Sequence, residues 1–170
     1  MLRTFCLILC AVLLQACAAP HLHVQAWLDS QVDLRSYETF EVEAVQDGDR
    51  YLRINAMLAS AFDLAMQGKS FRPASGAGSA DLTLRFITEV RHEEALRADE
   101  IPTQKGVYTK YRMVAVNEGS LLVNIIDVKQ NKVIWKGSTI RDINNLKVSK
   151  LTQERINDRV LELLASFPER

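Results

Sequence analysis

The sequence has almost no histidine, no surplus of charge of either sign and, past its first seventeen residues, no cysteine. Each shortage excludes something. The three histidines are His21, His23 and His92, and none stands in a nucleophile-elbow context where it would activate a serine or cysteine. Lys and Arg total 21, as do Asp and Glu, which leaves out the clustered basic excess of a nucleic-acid binder. Glycine does not form a phosphate-binding loop: Gly76-Ala77-Gly78 is too short and precedes a strand pattern, whereas phosphate loops open helices. Internal repeats and low-complexity tracts are also missing.

What is present begins with the leader. Arg3 supplies positive charge, Phe5 to Leu14 is apolar, and small residues follow, the parts of a secretory signal. The apolar stretch falls short of the about 20 residues that span a bilayer. Leu14-Gln15-Ala16-Cys17 resembles the lipobox of bacterial lipoproteins, in which the cysteine is acylated and the leader is cleaved before it. The expected organisation is a signal peptide over 1–16, a lipidated tether over 17–23 and one domain over 24–170. About 150 residues suffice for one core and are too few for two typical domains. Cys6 and Cys10 leave with the leader, so Cys17 is the lipid-attachment residue and the domain is stabilised by burial without a disulfide. The tether spans only about 3.3 Å per residue, which keeps the domain near the membrane.

From Val24 onward strand and helix periods alternate. Phe40, Val42 and Ala44 alternate with Glu41 and Glu43, a strand with one wet face. Ile54, Met57, Leu58, Ala61, Phe62 and Ala65 recur at helical spacing, with Asp47 or Asp49 as candidate cap and Gly68 as the left-handed terminator. Phe71 to Ala80 reads as a loop. Leu82, Leu84, Phe86, Thr88 and Val90 make the clearest strand, and the charged stretch His92 to Lys105 reads as an exposed excursion. Turn signals at Asn117-Glu118-Gly119 and at Lys129-Gln130-Asn131-Lys132 divide 107–143 into a three-stranded antiparallel meander. Ile156, Val160, Leu163, Leu164 and Phe167 share the face of a last helix, capped by Ser149 or Thr152 and stopped by Pro168. Two amphipathic helices need an apolar surface, so the expected fold is an α+β two-layer sandwich: a mainly antiparallel sheet with both helices on one face.

Val32-Asp33-Leu34-Arg35-Ser36-Tyr37-Glu38-Thr39-Phe40, then Ala80-Asp81-Leu82-Thr83-Leu84, then Glu118 to Val123, Ile126-Asp127-Val128 and Val133-Ile134-Trp135-Lys136-Gly137 occur in that order, followed by Phe167-Pro168. In sequence and spacing the chain resembles bacterial lipoproteins carrying domain of unknown function 4136. The charged insert from His92 to Lys105 departs from that pattern. The resemblance implies an envelope lipoprotein with an α+β domain, and it supplies no catalytic residues to transfer.

Candidate chemistry is sparse. His21, His23 and Asp29 include zinc-type ligands, but a closed site needs about four held rigidly, and a tether holds none. His92-Glu93-Glu94 has no second histidine at helical spacing. Asp33 and Asp81 each stand at a strand entry, where a turn carboxylate is the simpler role. Trp135 and Tyr37 suit a cleft wall, and suit a core better. The expectation is therefore a non-enzymatic outer-membrane lipoprotein facing the periplasm, with no metal and no cofactor. Ala18 stands where an inner-membrane retention aspartate would be. Its partners would be the membrane, through the lipid, and an envelope protein; nucleic acid is not among them. The alternative is a carrier of a small molecule or lipid, in a cleft between helices and sheet.

Overall fold

The computed structural model describes residues 24–45, 51–76, 78–104, 106–144, 146 and 151–170. The leader, the tether with Cys17, and the candidate caps Asp47, Asp49 and Ser149 lie outside them. The described chain is α+β, built on one mixed sheet. Its strands are β1 (Val24–Leu28), β2 (Thr39–Val45), β3 (Arg72–Pro73), β4 (Leu82–Thr103), β5 (Gly106–Asp127) and β6 (Lys132–Asp142). The helices are α1 (Leu52–Gly68) and α2 (Gln153–Leu163). The spatial order is β1-β6-β5-β4-β2-β3.

The sheet is less antiparallel than expected. β4, β5, β6 and β1 pair antiparallel, but β2 runs parallel to both β4 and β3. A parallel pair needs a crossover, and α1, lying between β2 and β4 in sequence, supplies it. The strand β1 and the two-residue β3 were not anticipated, because short edge segments carry little period.

The core follows the inward parity of the strands. Leu82, Leu84 and Phe86 on β4 pair with Asp127, Ile125 and Val123 on β5, and all six are buried. Phe62 of α1 meets Phe86 with ring centroids 5.2 Å apart, and Phe167, just past α2, meets Trp135 edge-on at 5.8 Å. Ile156, Val160 and Leu163 of α2 are buried with them, as the helical period required. The outward parity is polar near β2: Thr83 Oγ1 donates to Glu41 Oε1 at 2.8 Å, and Arg85 pairs with Glu43 at 2.8 Å.

Three local readings change. Gly68 ends α1 but is not left-handed; Ser70 is, with φ 72°. Phe71 N–H donates to Met66 O and Ser70 N–H to Gln67 O, the paired bonds of a Schellman motif, with Phe71 and Met66 both buried beside them. At the start of α1, Tyr51 makes no side-chain capping bond. Asn117-Glu118-Gly119 is no turn, since β5 runs straight through it. Asn117 is used laterally instead: its N–H and Nδ2 donate to Asn144 Oδ1, and its carbonyl accepts from Ile143 N–H. Gly119 lets Ile143 come close, where an added Cβ would meet Ile143 Cγ2 at 3.1 Å. Residues 107–143 therefore hold two strands, β5 and β6, where three were expected, and the antiparallel meander takes its third strand from β4.

Of the stretch His92 to Lys105, residues 92–104 are exposed apart from the half-buried Asp99, but they do not form an irregular excursion. β4 and β5 stay paired out to Thr103 and Gly106, whereas β2 leaves β4 at Ile87 and β6 leaves β5 at Glu118. The remainder is a two-stranded ribbon extending roughly 40 Å at about 3.3 Å per residue.

Candidate functional site

Of the segments that carried the sequence resemblance, 32–40, 80–84 and 126–128 meet at the sheet end opposite the ribbon. Asp33 Oδ1 accepts Arg35 N–H at 3.1 Å and caps the 3-10 turn Leu34–Ser36. Asp81 Oδ2 accepts three bonds, from Glu38 N–H at 2.8 Å, Thr39 N–H at 2.9 Å and Thr39 Oγ1 at 3.0 Å. The Glu38 and Thr39 amides hold its carboxyl below the usual carboxylate range. This ties the start of β4 to the start of β2. Tyr37 donates to Asp127 Oδ2 at 2.8 Å, and Gln130 N–H to Asp127 Oδ1 at 2.9 Å, so a carboxylate only 2% exposed is satisfied on both oxygens. Burial, then this bond, push the Tyr37 phenol up to about 12. Asp33 and Asp81 are therefore both turn carboxylates, each engaged with its own backbone donors.

The other candidates are dispersed. His21 and His23 lie outside the described residues. Asp29 pairs with Lys132 at 2.5 Å and accepts Gln31 N–H, and the lysine, then that amide, lower its pKa. His92 sits on the ribbon beside its bonding partner Asn117. Among the described residues, no group of three or more His, Cys, Asp or Glu is placed to hold a metal. Trp135 is fully buried, and Tyr37 is half-buried against the core.

Two features stand apart from this lock. The first is a cavity of about 650 Å³ between the helices and the ribbon-side end of the sheet. Ile54 and Leu58 of α1, Leu121 of β5, and Ile156 and Val160 of α2 form apolar walls; Thr139, Arg141, Arg155, Asp158 and Arg159 supply its polar lining. Thr139 Oγ1 is buried without a hydrogen-bond partner among the described residues. Arg159 is engaged by Glu162 at 2.7 Å. For Arg141 and Arg155 no side-chain ion pair forms among the described residues. The signal that sequence reading passed over is Arg141 itself: it continues the inward parity of Trp135, Gly137 and Thr139, where a core strand would carry an apolar residue.

The second is the ribbon. Leu96 stands opposite Met113 and Ala98 opposite Tyr111 on one face, while Ile101 stands opposite Tyr108 on the other. Leu96, Val107, Tyr108, Tyr111 and Met113 are each more than half exposed. Asp99 pairs with Arg112, which, together with Arg97 and Lys110, keeps its carboxyl ionised below the usual range. The face that carries Ile101 and Tyr108 continues onto the outward sheet surface as Val45, Ile87, Leu122, Ile140 and Trp27, all exposed.

Solved structures resemble the chain at low sequence identity. A PDZ domain protein from Parabacteroides distasonis superposes with a TM-score of 0.58 at 11% identity over 88% of this chain, which spans 36% of that one. A PelC dodecamer from Paraburkholderia phytofirmans gives 0.50 at 12% identity, covering 86% of this chain and 97% of that one. A DUF4136 family protein from Bacteroides thetaiotaomicron gives 0.45 at 14% identity, covering 86% and 92%. No curated protein matches the sequence. The model of the domain of unknown function DUF4136 matches residues 24–169, nearly all of the described chain, and the protein belongs to that family.

Proposed function

We propose that this protein is a non-enzymatic lipoprotein of the outer membrane, anchored through Cys17 and facing the periplasm, which works by assembling with copies of itself through the ribbon. In this reading the helices form one layer over the inward sheet face, and the opposite face and the ribbon remain as the working surface. The observation that carries it is the exposed apolar cover of the ribbon, Leu96, Tyr111 and Met113 on one face and Tyr108 on the other, on strands with no lateral neighbour among the described residues. An isolated two-stranded hairpin is marginal in water, and contiguous exposed apolar surface marks an interaction site. Aromatic residues and methionine are also what interface cores favour. The ribbon carries both signs of charge, with Glu93, Glu94 and Glu100 near Arg91, Arg97 and Lys110, so two copies offset along it would pair opposite charges. PelC, similar in fold, is a dodecamer, which supports self-assembly as the use of this surface.

The test is native mass spectrometry of the full chain released from membranes in nonionic detergent, beside the double variant Leu96→Glu/Tyr111→Glu. Oligomers are expected for the natural chain, and monomers with unchanged circular dichroism for the variant. A monomeric natural chain, or crosslinking in intact cells that captures only a different protein at the ribbon, would overturn the reading.

A further inference from the structure

The cavity between the helices and the sheet has a composition that the fold alone does not require. Its volume of about 650 Å³ lies within the roughly 300–1,000 Å³ of ligand sites. Its depth is hydrocarbon: Leu58, Leu121, Ile156 and Val160. Arg141 and Arg155, both exposed, stand at its rim, against one acidic lining residue, Asp158. An apolar floor with guanidinium groups at the mouth that form no ion pair among the described residues matches one ligand shape, a hydrocarbon chain ending in an anion, since guanidinium recognises carboxylate and phosphate with paired N–H donors.

The Thr139 hydroxyl is an independent pointer. It lines the same cavity, it is buried, and it has no partner among the described residues. A buried hydroxyl without a partner is destabilising, and a ligand oxygen placed there would satisfy it. We propose that this cavity binds a single-chain amphiphile with an anionic head, its chain against Leu58, Leu121 and Ile156 and its head held by Arg141, Arg155 and the Thr139 hydroxyl. Fatty acids and lysophospholipids share this chemistry.

The position in the fold fits such a ligand. Val24, the first residue of β1, pairs with Thr139, so the chain enters the domain one strand away from the cavity. With Cys17 as the lipid anchor, the mouth would lie within a short tether of the bilayer. That placement rests on the anchoring reading above; the chemistry of the cavity does not, and neither needs the ribbon.

The experiment is native mass spectrometry of the full chain in nonionic detergent, titrated separately with palmitate, lysophosphatidate, hexadecanol and inorganic phosphate. One-to-one adducts are expected with palmitate or lysophosphatidate, and the stronger of the two identifies the head group. Hexadecanol, with the same chain and no charge, should bind about tenfold more weakly, and inorganic phosphate should not bind. Shortening the carboxylate by one methylene should lower affinity roughly three- to fourfold. Arg141→Gln/Arg155→Gln, changed at two exposed positions and therefore expected to fold, should lose about tenfold for the anions and nothing for hexadecanol, while Arg141→Lys/Arg155→Lys recovers part of it. Equal binding of palmitate and hexadecanol, an unaffected double Gln variant, or no adduct with either anion would each overturn the proposal. None of these depends on the oligomeric state.

Discussion

Trp135 lies across Gly137 so closely that a side-chain carbon added to Gly137 would sit 2.2 Å from Trp135 Cη2, and within 2.9 Å of two further ring carbons. Both residues have the inward parity on β6, so the indole folds along its own strand over the one residue with no side chain. The Trp-x-Gly pattern in the sequence is thus a packing unit.

Gly137→Ala should be destabilising, because Trp135 is fully buried and closed in by Phe167. Overpacking of this kind costs about 1–3 kcal/mol. A lower denaturation midpoint together with changed tryptophan fluorescence is the expected result; an unchanged midpoint would mean that the indole has room to move.

Tyr37→Phe keeps the ring and removes the hydroxyl that donates to the buried Asp127. A carboxylate oxygen left without its donor costs about 1–3 kcal/mol. The pH dependence has a definite sign. Folding raises the Tyr37 pKa from 10.0 to about 12, so the protonated hydroxyl is favoured in the folded state. Its contribution is full below pH 10 and is lost as the pH rises toward about 12. Urea denaturation at stepped alkaline pH should show the gap between natural chain and variant narrowing over that window.

Ser70→Gly should be stabilising. Ser70 holds a left-handed backbone at the end of α1, a conformation that costs a residue with a Cβ about 1 kcal/mol and glycine little. Its N–H bond to Gln67 O is made by the backbone and survives the change. A higher melting temperature is expected, and a lower one would show that the serine side chain contributes what the backbone does not.

Cys17→Ser should release the protein from the membrane fraction. One acyl chain alone binds with an association constant of about 10⁴ M⁻¹, whereas several hold nearly irreversibly. Fractionation of cells expressing each form is the measurement, and a serine variant that still sediments with membrane would place the anchor elsewhere.

Much of the fold was legible because its signals are local. Leu82, Leu84 and Phe86 alternate, and Ile156, Val160, Leu163, Leu164 and Phe167 follow the helical period; all eight are buried as that reading required. Thr152 caps α2 as read, accepting Arg155 N–H, and the turn at Lys129 to Lys132 holds Asn131 at positive φ. The misreadings arose where a local signal was redirected from a distance. Gly119 looked like a turn residue and instead admits Ile143; Gly68 looked like the left-handed cap, a role the Schellman bonds give to Ser70. The charge of His92 to Lys105 indicated exposure correctly, yet it concealed a strand, because a ribbon wet on both faces loses the apolar alternation by which strands are recognised.

By itself the sequence determined the helices and the inward faces of the central strands, since these depend on period and on turn chemistry within a few residues, whereas the bonds by which Asp81 ties β4 to Glu38 and Thr39 of a segment about forty residues away came only with the tertiary structure. The tertiary structure decided that β2 runs parallel to β4, that Asn117 serves a neighbouring segment, and that Thr139, Arg141 and Arg155 meet at one cavity. The physical reason is that pairing direction and the gathering of side chains from separate elements are set by which surfaces bury each other, and residues far apart in the chain become neighbours only through that burial.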